Sequence, residues 1–198
     1  MQTGDYVLAD GWSFRREGES EFRFVRVPHD WGVDYGFLRA GSCPSQGDLP
    51  YEGKGLYRRG LDGFSPPPGG RTYLTLDGVQ CRSVVRLNGK VVGGRPYGYA
   101  SETIDITGAL TPTGNVLEVE AENVAGSSRW YPGSGIFRDV TVSVCGRDHV
   151  HPNTLAWRRV RFGHLGMESW HAAGQEGCCR GQREPPSEHP RIPRPLCL

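Results

Sequence analysis

Lysine is almost missing from this chain: of 23 basic residues only Lys54 and Lys90 are lysines, and the rest are arginine. Folding physics does not require that preference, so it is read as coding bias and carries no function. Net charge is missing too. At +1 there is no electrostatic basis for holding nucleic acid or an acidic partner, both of which need an excess of one sign. No apolar run is long enough to span a bilayer. The opening Met-Gln-Thr-Gly-Asp-Tyr-Val-Leu has no basic segment followed by an apolar core. A soluble, cytoplasmic protein without a membrane partner is expected. Six cysteines are present, but Cys43, Cys81 and Cys145 lie far apart and Cys178, Cys179 and Cys197 fall in a stretch of different character. No disulfide framework follows. The last absence is helical periodicity, which no stretch before Val144 sustains over three turns.

What the chain has instead is punctuation. Its 29 glycines and 15 prolines, with a negative mean hydropathy, indicate many turns between short strands. Trp12 and Phe14 alternate with Ser13 and Arg15, and Leu117, Val119 and Ala121 alternate with Glu118, Glu120 and Glu122. Each such strand has a core face and a wet face, which leaves the three glutamates on a solvated surface. Between Phe22 and Val27 the apolar phase slips, so either both faces are covered or a bulge re-aims the strand. Asn88-Gly89, set between Ser83–Leu87 and Lys90–Val92, supplies the two positive-φ positions of a type I′ hairpin. Ser65 to Gly70, with three prolines and two glycines, cannot be regular structure. From Pro28-His29-Asp30-Trp31 a long punctuated loop runs to about Gly55, a functional candidate by its length. About eight or nine strands fit an all-β sandwich or jelly roll.

After Cys145 the text changes. Residues 146–198 hold five of the six histidines, three of the six cysteines and no lysine, without β-alternation. Enrichment in Arg, Pro, Gly, His, Cys and Trp without a pattern is what a GC-rich coding sequence yields when read out of frame. Residues 1–145 are therefore expected to form the folded domain, and 146–198 an irregular tail, disordered or frameshifted. His149 and His151 with Cys178 and Cys179 match no metal-ligand spacing, so neither a metal nor a cofactor is expected.

The stretch from Ser128 to Val144 joins a polar, aromatic loop to a clean strand. Val140, Val142 and Val144 alternate with Asp139, Thr141 and Ser143. Ahead of them Pro132, Gly133 and Gly135 force a turn that carries Arg129, Trp130 and Tyr131 to one end of a sheet. An arginine beside two aromatics on a rigid loop suits a sugar-binding surface. The competing reading makes Trp130 and Tyr131 caps on the end of a core. Ser134, between two glycines, lacks the strand and helix of a nucleophile elbow.

Four segments in order resemble the N-terminal sugar-binding jelly roll of glycoside hydrolase family 2, especially its β-galactosidase branch. They are Pro28-His29-Asp30-Trp31; Gly55-Leu56-Tyr57-Arg58-Arg59, similar to the family's Gly-Trp-Tyr-Arg-Lys strand; Asp77-Gly78-Val79 with Leu87-Asn88-Gly89 and Arg95-Pro96-Tyr97-Gly98-Tyr99; and the opening of Ser128–Val140. They span about residues 7 to 144. Leu56 departs from the pattern, where the family usually has tryptophan.

The resemblance implies a galactose-binding-like β-sandwich and a role in binding β-galactoside-like carbohydrate. In the family the two catalytic glutamates lie on a TIM barrel that follows an immunoglobulin-like domain; a retaining pair stands about 5–5.5 Å apart. Neither can be assigned here, so no catalytic residue is expected and the chain alone is expected to be inactive. The family positions that help hold a terminal sugar map onto Asp30 and Arg129, with Trp130 and Tyr131 beside them. A carboxylate accepts hydroxyl hydrogen bonds, a guanidinium donates several, and an aromatic offers an apolar face. Two alternatives stand beside this reading, a stand-alone carbohydrate-binding module and a non-catalytic interaction domain. His29 is read as packing against neighbouring loops.

Overall fold

The computed structural model describes residues 2–34, 52–124 and 131–152, together with two short strands, 157–159 and 170–172. Ten strands build two antiparallel sheets. The first sheet has the order β1 (Gly4–Val7), β10 (Val140–Cys145), β5 (Arg71–Leu76), β8 (Glu102–Asp105). The second runs β3 (Arg23–Val25), β2 (Trp12–Arg16), β4 (Gly53–Gly60), β9 (Val116–Asn123), β6 (Val84–Leu87), β7 (Lys90–Gly93). A single helical turn, α1 (Trp31–Asp34), follows the Pro28 corner. Late in the chain β11 (Trp157–Arg159) pairs antiparallel with β12 (Trp170–Ala172). No helix among the described residues is long and apolar enough to cross a membrane. The β-sandwich expected from the alternation is the fold found.

Register explains why these residues form the core. Phe14 stands opposite Tyr57, Tyr57 opposite Val119, and Val119 opposite Val85, giving one inward row across four strands. Tyr6, Val142, Leu74 and Ile104 make the matching row on the other sheet. Packed face to face, these rows bury Trp12, Phe14, Tyr57, Leu74, Val119 and Val142, the core of a sheet-on-sheet packing. On the outer face Arg58 bonds Glu118 (2.8 Å) and Arg86 bonds Glu120 (3.2 Å), so two of the β9 glutamates do lie on a polar, half-exposed surface. The β6–β7 hairpin turns on Asn88 (φ 53°) and Gly89 (φ 78°), as the Asn-Gly pair predicts.

Two local features differ from the sequence pattern. Between Phe22 and Val27 no register shift occurs in the β2–β3 pairing. Val27 is buried while Phe24 is 91% exposed; Phe22 sits under the Arg15 and Arg58 guanidiniums, 4.8 and 5.0 Å from its centroid. Cation–π contact therefore replaces both the covered face and the bulge. In β10, Ser143 is buried along with the three valines. Its register partner Tyr73 is roofed by His149, whose Nε2 lies 2.9 Å from the Tyr73 hydroxyl, and by His151 at 4.5 Å between centroids.

Candidate functional site

The Pro28 corner and the 131–137 loop meet at one end of the sandwich because backbone bonds tie them together. The His29 N–H donates to the Ile136 carbonyl (2.7 Å), and Gln80 and Gly135 exchange two bonds (2.9 and 3.1 Å). Asn123, at the end of β9, donates through Nδ2 to the Gly133 carbonyl (2.8 Å) and to Ser134 Oγ (3.0 Å). Gly133 and Gly135 take φ of 80° and 85°, the left-handed conformation the sequence reserves for them. Phe14 stacks on Trp31 at 5.7 Å and lies 4.7 Å from both His29 and Tyr57. Trp31 is thus wholly a core residue.

Asp30 stands where these elements converge. Its Oδ1 accepts the Gly32 N–H (3.0 Å) and the Tyr131 hydroxyl, and the carboxylate also receives the Ser134 N–H. Gly32 has no room for a side chain, since a Cβ there would run into the Tyr131 hydroxyl. Burial holds the Asp30 carboxyl above its ordinary value, against the pull of its three donors. Burial and the adjoining carboxylate push the Tyr131 phenol up, so it stays protonated and donates.

His29 lies behind, with Nδ1 2.7 Å from the Tyr57 hydroxyl and Nε2 2.6 Å from Asp34 Oδ2. Asp34 also accepts from Arg23 (3.1 Å). Burial pulls the His29 imidazole below its ordinary value despite Asp34, and Tyr57, driven well up by burial, keeps its proton. The neutral tautomer with Nε2–H donating to Asp34 and Nδ1 accepting from Tyr57 satisfies every group.

In front of Asp30 opens a shallow hollow of about 420 Å³, walled by His29, Tyr99, Tyr131, Pro132 and Phe137. Its volume falls within the range of about 300–1,000 Å³ common to small-molecule sites. One carboxylate among aromatic walls suits a ligand with hydroxyl edges and apolar faces. Of the four residues expected from sequence, Asp30 and Tyr131 are brought together; Arg129 and Trp130 lie outside the described residues. Tyr99 and Phe137 went unnoticed as site residues, and the only signal was the Tyr97-Gly98-Tyr99 alternation.

No family model matches the chain. A Formosa agariphila protein named as a β-glucuronidase is 33% identical over 153 residues, 76% of this chain and 15% of that relative. The β-galactosidase BoGH2A of Bacteroides ovatus is 35% identical over 149 residues, 73% of this chain and 18% of the relative. Neighbouring solved structures are family 2 members; a Bacteroides vulgatus β-glycosidase superposes with a TM-score of 0.70 at 25% identity, covering 87% of this chain and 24% of that one. The sandwich is a glycoside hydrolase family 2 domain. The chain spans less than a fifth of the length of these two curated relatives.

Within this family 2 domain Leu56 takes the outer face of β4, half-buried opposite Glu120, so the change from the usual tryptophan leaves the core intact. Ser134 is fully buried and accepts from Asn123, and among the described residues the next element after it is the strand β10 and not a helix.

Proposed function

We propose that this family 2 domain contributes carbohydrate binding to a larger β-glycosidase of the galactosidase or glucuronidase kind, with Asp30 holding hydroxyls of the terminal sugar. The observation that carries it is the Asp30–Tyr131 pair at the floor of an aromatic hollow. Three fixed donors orient the carboxylate and leave oxygen lone pairs over for a ligand. Arg129 and Trp130 are proposed to complete the contact, and both catalytic carboxylates to come from a TIM barrel outside these 198 residues. The likeness to two named glycosidases supports this reading, since a binding site shared between domains needs only part of its contacts here.

NMR titration of the chain with methyl β-D-galactopyranoside tests it. Binding in the millimolar range is expected, with amide shifts confined to Asp30, Gly32 and the 131–137 loop, and Asp30→Asn should weaken it about tenfold. Shifts elsewhere, or unchanged affinity in the variant, would reject Asp30 as the contact. Affinity in the low micromolar range would instead favour a module that binds sugar by itself.

A further inference from the structure

We propose that the hollow at Asp30 continues into an aromatic platform formed by Tyr99 and Tyr97, so that the ligand is an oligosaccharide of β-linked pyranoses in which a second ring rests on these tyrosines. The proposal builds on the reading of Asp30 given above. It starts from a glycine. Gly98 is buried between two outward residues, and a Cβ there would stand 2.8 Å from the Val79 carbonyl oxygen and closer still to Gln80 Oε1. Such approach is open to glycine alone. Gly98 and Tyr99 lie in a turn, and with Gly98 pressed inward both flanking side chains are left facing out, Tyr97 62% and Tyr99 36% exposed.

Single exposed aromatics are ordinary, but these join a row. Tyr97 and Tyr99 have centroids 5.7 Å apart at 60°, and Tyr99 and Phe137 are 5.7 Å apart at 67°. Phe137 and Tyr99 are walls of the Asp30 hollow, so the row leads from the carboxylate outward without a break. Each ring is tilted from the next, which gives a stepped surface with one face per step.

The inner end of the row is anchored. The Tyr99 hydroxyl donates to the Pro132 carbonyl (2.9 Å), and the Ser83 N–H holds the Arg95 carbonyl (2.7 Å) at the head of the segment. An anchored tyrosine offers contact area at low entropic cost. Polar groups stand beside the aromatic faces, with the Arg138 guanidinium 5.4 Å above the Phe137 ring and the Asp30 carboxylate in the hollow. Apolar faces flanked by donors and acceptors match a pyranose, whose C–H faces are apolar and whose edges carry hydroxyls. A purely apolar partner would leave Arg138 and Asp30 without use.

The test compares one ring with three on the full chain, titrating methyl β-D-galactopyranoside and β-1,4-galactotriose by NMR against the native protein and Tyr97→Ala. The trisaccharide is expected to bind up to about tenfold more tightly than the single ring, the upper end for one aromatic contact. Tyr97→Ala should remove that advantage while leaving single-ring affinity and melting temperature unchanged, because the side chain is mostly in solvent. Equal affinity for one ring and three, or an advantage that survives Tyr97→Ala, overturns the platform and leaves the Asp30 reading standing. Absence of binding by either sugar overturns both.

Discussion

Asp30 is subject to two opposing influences, and the balance can be measured. Burial favours the neutral carboxyl, while Tyr131, Gly32 and Ser134 donate to the charged one. Tyr131→Phe removes one of those donors, so the Asp30 titration should move to higher pH, read from its carboxyl carbon shift. An unmoved titration would mean that the Tyr131 hydroxyl does not reach the carboxylate in solution. His29 makes a second prediction. Its folded-state value lies below the ordinary value of 6.5, so below about pH 6.5 the unfolded chain binds a proton that the folded chain refuses. Stability therefore falls as pH drops through that value and is level above it with respect to this group. The urea midpoint should decline from about pH 7 to about pH 5, and His29→Gln should flatten the decline. An equal slope in the variant would assign the effect to another group. Neither pKa direction was legible in the sequence, since each depends on burial by residues remote in the chain, Asp30 by Tyr131 and His29 by Phe14 and Tyr57.

At the scale of elements, alternation was a dependable guide wherever one face met the core. The β9 pattern and the Asn88-Gly89 hairpin were readable because a period of two and two positive-φ residues are local properties. The Phe22–Val27 segment was not, because what holds Phe22 is two arginines on β2 and β4. Cross-strand ion pairs on the outer face should matter little. Arg58 is about half exposed beside Glu118, so Glu118→Gln is expected to cost less than about 1 kcal/mol in urea unfolding. Gly55 is the contrasting case. A Cβ on it would lie 2.6 Å from both Phe14 and Trp31, so Gly55→Ala should cost about 1–3 kcal/mol through overpacking. If the two variants were equally stable, the packing of Trp31 on β4 described above would be wrong.

For the molecule as a whole, the proposed function makes the chain a binding surface whose catalytic groups lie elsewhere. Purified protein is expected to leave p-nitrophenyl β-D-galactopyranoside and the corresponding glucuronide unhydrolysed, and turnover lost in Asp30→Asn would overturn that expectation. The sequence by itself determined most strands of the sandwich, the hairpin and the family resemblance, because turn chemistry and alternation act over a few residues. It also supplied Asp30 and Tyr131 as candidates. Only the tertiary structure decided that they share a proton-bearing contact across 101 residues, and that Tyr99 and Phe137 wall the same hollow. Those relations arise where the ends of both sheets close on each other, and closure is set by strand order and packing, which no local spacing encodes.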